Sequence, residues 1–314
     1  MAKTTKHHPK INHDPGLGER YLNNTKRIIN KDGSFNVART GDGLFWRDTY
    51  QNLINMSWFK FIGLIIILYF SINLLFGSLI YFIGIEYLSG IEPSETELQK
   101  FLDAFYFSVQ TFTTVGYGAI APKGIWVNLI ATLDALAGLL GFALATGLLY
   151  GRFSKPRAKL EFSKNALIAP YKNSKALMFR LVNKRSNILM ELDATVMLMH
   201  LETQPNGEIQ RKYYPLKLET KNIHFFPMNW TIVHAINEDS PLYGYDLEKL
   251  KTECAEILIL IKGFDDTFSQ VVHSRYSYCP DEILENKVFE KIYTINQAGD
   301  ILVDIDKIHA YREV

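Results

Sequence analysis

The sequence predicts an α-helical membrane domain with two spans and a re-entrant helix between them, followed by a C-terminal all-β, immunoglobulin-like sandwich. Three observations carry this. Two long apolar runs, Trp58 to Gly84 and Ile125 to Gly151, lie in the first half of the 314 residues. A shorter aromatic segment, Phe101 to Phe112, stands between them and leads into Thr113-Thr114-Val115-Gly116-Tyr117-Gly118. After residue 156 the pattern changes to short β-rich runs separated by Gly, Pro and Asn. The mean hydropathy of −0.03 averages these unlike halves. The expected divisions are 1–42 as a polar arm, 43–57 as an interfacial helix, 58–156 as the membrane domain and 157–314 as the β domain.

Met1 to Asp42 is polar and turn-rich, with Pro9, Pro15, Gly16, Gly18 and Asp32-Gly33. It reads as a mobile tail, and His7, His8 and His13 as tail residues rather than metal ligands. In Gly43 to Ser57, Phe45/Trp46, Tyr50 and Leu53/Ile54 recur at helical spacing, with Arg47, Asp48, Gln51 and Asn52 between them. That pattern suits a helix in the headgroup plane with its aromatic face down; an amphipathic core helix is the alternative.

Trp58 to Gly84 carries Lys60 near its start and no other charge. It is long enough to cross a hydrocarbon core of about 30 Å. Trp58, Tyr81 and Tyr87 can anchor its ends. The first apolar run begins only near residue 58, so no cleavable signal is expected. Glu86 to Lys100 is acidic, with Glu92, Glu95 and Glu97, while most Lys and Arg lie beyond the other ends of the spans. The positive-inside bias therefore expects a multi-pass protein of the cell (inner) membrane with both termini cytoplasmic.

Phe101 to Phe112 is too short to span and is expected to be a re-entrant helix. Its C-terminal end carries partial negative charge, which favours a cation nearby. Irregular backbone beyond it is tolerable at membrane depth only where it is buried in protein and lines water. A dehydrated potassium ion needs oxygens that replace its water shell. Successive backbone carbonyls can supply them if the chain turns them all inward, and Gly116 and Gly118 permit the angles this needs. The Thr114 hydroxyl adds an oxygen layer, and Val115 and Tyr117 would face outward as braces. Thr114-Val115-Gly116-Tyr117-Gly118 is the string of potassium-selective filters, in which four loops ring one axis. One chain supplies one loop, so potassium ions at Thr114, Val115, Gly116 and Tyr117 require three further identical subunits and a symmetric homotetramer.

In the second span Asp134 is the only ionisable residue before Arg152. An intramembrane carboxylate is a functional candidate; here it either braces the rear of the filter or faces the cavity as a cation site. Gly138, Gly141 and Gly147 permit close packing or bending. Phe142, Thr146 and Tyr150 share a helix face toward the inner end. Four Tyr150 rings meeting on the axis would close the pore by dewetting; otherwise Tyr150 is an interfacial aromatic. Arg152, Lys155, Arg157 and Lys159 follow at the cytoplasmic boundary and can bind anionic headgroups.

Beyond residue 157 strands are expected at Leu177–Val182, Ile188–Leu201, Ile209–Lys217, Ile223–Ile236, Ala255–Ile261, Phe268–Tyr276, Lys287–Ile295 and Ile301–Ile305, with a short helix near Asp246–Lys251. Many short strands without helical alternation indicate a sandwich. His200, His224, His234, His273 and His309 are scattered, with no phosphate loop, triad or metal spacing, so neither an enzyme nor a cofactor is expected. Cys254 and Cys279 read as free thiols. A formal net charge of +1 argues against nucleic acid as a partner.

These residues together are similar to the prokaryotic branch of the inward-rectifier potassium channels. The resemblance rests on the filter, on Arg152-Phe153-Ser154-Lys155-Pro156-Arg157-Ala158-Lys159 and on Asp239-Ser240-Pro241-Leu242-Tyr243-Gly244. It implies a tetramer whose cytoplasmic sandwiches extend the pore, and control by anionic phosphoinositides. It implies a helix-bundle gate at Tyr150 and a second constriction in the loop Gly263 to Val271, with Phe264 and Ser269 near the axis. Polyamines, Mg2+ or Ba2+ are the expected blockers. Strong rectifiers hold an acid where this chain has Phe142. Of their vestibule acids Asp193 is kept, whereas Asn222 and Lys262 stand at two others, so polyamine rectification is expected to be weak. The family's acid–base pair behind the filter is replaced by Gln110 and Ile120, and Asn55 and Ser57 stand where basic residues usually open the first span. The expected function is thus a passive potassium channel; a membrane-anchored β-sandwich receptor and a non-selective cation channel are the alternatives.

Overall fold

The structure is a computed structural model that describes residues 14–20, 27–38, 49–91, 96–154 and 158–314. The chain forms two compact units, Thr40–Lys155 on one hand and Met1–Arg39 with Pro156–Val314 on the other.

The first unit begins with α1 (Thr49–Asn55), the described end of the expected interfacial helix; Phe45, Trp46, Arg47 and Asp48 lie outside the described residues. α2 (Trp58–Ile83) and a later helix, Ile125–Phe153, are both long and apolar enough to cross a membrane. Between them come β1 (Leu88–Ser89), α3 (Glu97–Phe112) and β2 (Ala121–Pro122), after which Ile125–Phe153 is α4. α3 starts a turn earlier than expected. Thr96 caps it by accepting from the Gln99 amide at 3.4 Å, and Glu97 sits in its first turn, where the helix dipole favours an acid. α2 and α3 approach closely because Gly77 has no side chain: a Cβ there would lie 2.9 Å from the Phe105 Cα. Ile80, Ala104, Phe107, Val127 and Ala131 form the shared core of the three helices.

The second unit is a sandwich. Its strands in chain order are β3 (Leu160–Phe162), β4 (Ala166–Tyr171), β5 (Ser174–Asn183), β6 (Leu189–Thr203), β7 (Ile209–Pro215), β8 (Asn222–Phe225) and β9 (Asn229–Ile236), then helix α5 (Leu247–Thr252), then β10 (Glu256–Asp265), β11 (Gln270–Tyr278) and β12 (Ile283–Glu285). One sheet runs β11-β10-β6-β7 with β8 also on β6; the other runs β12-β4-β5-β3 with β9 also on β5. Their inner faces meet in one core that includes Leu177, Phe179 and Leu181 from one sheet and Leu192, Ala194, Val196 and Leu198 from the other. The period-two spacing of those residues is what puts them on one face. The run expected as one strand at Ile223–Ile236 is two strands in different sheets, because the Phe226-Pro227 break cannot continue a ladder. Lys287–Ile295 likewise divides into Lys287–Phe289 and Tyr293–Ile295.

The expectation of a free N-terminal tail fails for the described stretches. Tyr213 donates to the Gly18 carbonyl at 2.9 Å, and Arg20 bridges to Gln210 on β7. Ile29 is buried among Met197, Met199, Tyr213 and Leu258, apolar residues on the outer face of a sheet that would otherwise meet water. The Ile28 and Ile29 amides donate to the buried Glu256 carboxylate at 2.8 and 3.3 Å. Arg27 and Lys31 converge on Glu282 at 3.0 and 2.6 Å.

Burial opposes the charge on Glu282, but donors from Lys31, Arg27 and the Cys279 amide outweigh it and hold the carboxyl below its ordinary value. A depressed acid stabilises the folded contact above its unfolded value of about 4.3 and ceases to do so as pH falls through the folded one. Protection of the amides across 27–31, taken against the intrinsic exchange rate at each pH, should therefore fall as pH is lowered below about 4. Glu282→Gln should show fast exchange at neutral pH already; no difference between the two proteins would refute the contact's role.

Candidate functional site

The segment after α3 is anchored by the helix itself. The Val115 and Gly116 amides both donate to the Gln110 carbonyl, at 3.0 and 3.2 Å, and the Thr114 amide to the Thr111 carbonyl at 3.0 Å. The Thr113 hydroxyl turns back to the Val109 carbonyl at 2.7 Å. Beyond this anchor the backbone alternates in hand. Thr114, Gly116 and Gly118 have φ of 58°, 50° and 82°, whereas Val115 and Tyr117 do not enter the positive region. In a strand, successive carbonyls point to opposite sides. Inverting every second residue brings them to one side, the arrangement an ion-lining row needs. Two glycines accept this without a Cβ penalty; Thr114 is the one side-chained residue of the three that bears it.

The far end of the segment is fixed too. β1 pairs with β2, Leu88 opposite Pro122, and the Lys123 amide donates to the Tyr87 carbonyl at 2.7 Å. Gly90, at φ 83°, lies so near Ala119 that a Cβ would stand 1.7 Å from its carbonyl oxygen. Nothing in the sequence marked this clasp, since two-residue strands carry no periodicity. Val115 and Tyr117 are 53% and 81% exposed, uncovered by their own chain.

α4 lies against the last turn of α3. A Cβ on Gly138 would stand 1.9 Å from the Phe112 carbonyl oxygen, so only glycine lets the helices cross there. Asp134, one turn earlier on α4, is fully buried beside Ser108 of α3 in the single chain. Phe142, Thr146 and Tyr150 are all exposed in the single chain, spaced four apart on α4.

Arg152 departs from expectation. Its guanidinium donates to the carbonyls of Leu53, Ile54 (3.1 Å) and Met56 (2.6 Å) and lies over the Trp58 and Phe61 rings at 4.7 and 4.4 Å. The last carbonyls of a helix have no intrahelical partner and favour a cation, so the end of α1 takes this charge. Tyr50 and Ile54 of α1 also lie against Gly151 of α4, so that face is turned to protein and not wholly to headgroups. Lys155 and Arg157 lie outside the described residues; Lys159 is exposed. Arg152→Met should destabilise the membrane unit by about 1.5–3 kcal/mol, the range for hydrogen bonds to a charged group. Unfolding in detergent checks this, and an unchanged midpoint would contradict it.

In the β unit the expected loop Gly263 to Val271 is mostly strand, with only the turn 266–269 between β10 and β11. Gly263 is buried, and a Cβ there would meet Leu192 at 3.1 Å, so it faces the core; Phe264 is half-buried, and Ser269, at φ 49°, is exposed at the turn. The buried Asp265 holds this turn: it accepts the Thr267 and Phe268 amides at 3.1 and 3.4 Å and the Asn187 side chain at 2.8 Å. Sequence reasoning missed Asp265, whose only signal was a carboxylate two residues before a turn amide. Asp193 is half-exposed, pairs with Lys221 at 3.6 Å and stands opposite both Lys262 and Asn222.

Comparison with known proteins agrees with this anatomy. Residues 160–314 match the inward rectifier potassium channel C-terminal domain, and residues 68–155 match a family described as ion channel. The inward rectifier potassium channel Kirbac3.1 of Paramagnetospirillum magnetotacticum is 37% identical over 90% of this chain and 95% of its own. The G protein-activated inward rectifier potassium channel 2 of Rattus norvegicus is 27% identical over 94% of this chain and 74% of its own. The ATP-sensitive inward rectifier potassium channel 12 of Gallus gallus is 26% identical over 92% and 72%. With a two-span unit, a loop of alternating hand and a β domain all matched along nearly its whole length, the chain belongs to the inward-rectifier potassium channel family.

Proposed function

We propose that four copies of this chain form a passive, potassium-selective pore in the cell (inner) membrane, with both termini cytoplasmic. The observation that carries this is the alternating backbone of Thr114 to Gly118, which suits a row of carbonyls around a dehydrated ion. The exposure of Val115 and Tyr117 supports assembly, since large side chains at that depth call for neighbours to cover them. Asp134 acts as a brace behind the filter. Phe142 and Thr146 line the cavity, and Tyr150 forms the gate. Phe264 and Ser269 approach the axis at the cytoplasmic constriction. Anionic phosphoinositides act through Lys155, Arg157 and Lys159, with Arg152 in a structural part. Rubidium uptake into liposomes tests this, with and without phosphoinositide: it should be blocked by Ba2+ and exceed sodium uptake by a large factor. Equal rubidium and sodium uptake would favour a non-selective channel, and no uptake at all an anchored receptor.

Rectification by polyamines should be weak. Asp193 is the retained vestibule acid, and Lys221 and Lys262 offset its charge, so a polyamine finds little net attraction. Spermine at the inner face should give shallow, weakly voltage-dependent block. Steep block at micromolar spermine would contradict this.

A further inference from the structure

We propose that Asp134, Ser108 and Asn73 build a buried hydration site behind the filter, one per subunit, in which ordered water completes the Asp134 carboxylate. The proposal deepens the channel reading above and rests on it for the site's role, though not for its existence.

Three polar side chains, one each from α4, α3 and α2, are each 0% exposed. Their donors are nearly spent on one another. The single Ser108 hydroxyl hydrogen goes to Asn73 Oδ1 at 3.3 Å, and Asn73 Nδ2 donates to the Tyr69 carbonyl at 2.8 Å. Among the described residues the one protein donor beside Asp134 is that same Ser108 hydroxyl, and its single hydrogen cannot serve Asn73 and the carboxylate together. An ionised carboxylate offers about four acceptor positions, and leaving them unmet in an apolar interior is costly. No cation of the chain is at hand, since the only basic residues on α2, α3 and α4 are Lys60, Lys100 and Arg152, near their ends.

Two chemistries could meet the carboxylate, a metal cation or water. Calcium takes six to eight oxygens, more than these three side chains offer, and magnesium would have to carry several waters of its own into the site. A buried water needs only two to four polar partners. One water donates two hydrogen bonds, and the two Asp134 oxygens, the lone pairs of the Ser108 hydroxyl and Asn73 Oδ1 are the acceptors open to it.

The site abuts the filter. Ser108 lies two residues before Gln110, whose carbonyl takes the Val115 and Gly116 amides. Gly138, one turn along α4 from Asp134, touches Phe112 at the end of α3. Water held by Asp134 therefore ties α4 to the turn of α3 that anchors the filter, which makes Asp134 a positioning residue acting through Ser108 and Gln110.

A crystal structure of the full-length channel grown in rubidium, with anomalous data, tests the site. Density without anomalous signal within hydrogen-bond distance of an Asp134 oxygen, in every subunit, is the expected result. An anomalous peak at Asp134 would overturn it in favour of a cation. A dry carboxylate met by donors from a neighbouring subunit would overturn it as well. Axial rubidium peaks are read separately in the same map, so their absence would defeat the channel reading while the pocket density still decides hydration. The positioning role is read from the potassium concentration that protects the tetramer from heat. Asp134→Leu, which expels the water, should raise that concentration several-fold. Asp134→Asn, which keeps shape and hydrogen bonding, should recover most of the loss. Equal behaviour of Asp134→Leu and the native chain would end the positioning claim, and the map stands as the test if Asp134→Leu does not assemble.

Discussion

Gly138→Ala is expected to abolish selective rubidium flux and to reduce recovery of an assembled channel. The added methyl would stand 1.9 Å from the Phe112 carbonyl oxygen, 2.7 Å from its carbon and 2.9 Å from its Cα. All three are backbone atoms at the end of α3, so no side chain can swing aside. The helices must part, and the first residues displaced are Thr113 and Thr114 at the base of the filter. Forcing extra volume into a packed interior costs typically about 1–3 kcal/mol per site. Four copies around one axis would multiply that strain. Gly147→Ala is the control, because a Cβ there meets nothing within 4 Å of its own chain. It should stay folded and gain up to about 1 kcal/mol of helix stability. Flux and gel filtration of the two proteins side by side check the contrast. Equal behaviour would mean that the α3–α4 crossing does not set the filter.

Gly116→Ala is expected to remove discrimination between rubidium and sodium. The cause differs from Gly138. Space is open around Gly116 in the single chain, but its φ is 50°. Holding an L-residue there costs roughly 1–2 kcal/mol, and a ring of four bears it four times. The cheaper outcome is a peptide that rotates and takes its carbonyl out of the row, after which dehydrated potassium loses its advantage. Sodium uptake rising to the rubidium level, with the protein still assembled, is the predicted reading. Retained selectivity would mean that the ion-lining geometry does not depend on this residue's hand.

Much of this was legible in the residues. The two spans stand out because a helix in lipid must be apolar all round over some twenty residues, and α2 and α4 begin where their runs begin. The alternating backbone of Thr114 to Gly118 was legible because Gly116 and Gly118 stand at alternate positions, where positive φ is easiest. The start of α3 was readable as well, in Thr96 followed three residues later by Gln99, a helix-cap spacing that the acidic loop obscured. Other features depend on distant partners. Ile28 and Ile29 are two apolar residues in a polar stretch, and only the outer face of the sheet around Met199 and Tyr213 gives them a place. The sequence gives Arg152 no sign of the α1-end carbonyls that its guanidinium meets. The two roles open to Asp134 differ by a rotation of α4, and the sequence does not show the Gly138–Phe112 approach that orients this helix against α3. β4 was missed because Pro170 near its end argues against a strand, yet the ladder to β5 runs past it.

The central claim is that Thr114 to Gly118, repeated around one axis, passes potassium and refuses sodium. The most direct measurement is the reversal potential of purified channels in a planar bilayer, with potassium on one side and sodium on the other. The account predicts a reversal that tracks the potassium equilibrium potential and collapses in Gly116→Ala. A reversal near zero in the native protein would contradict it.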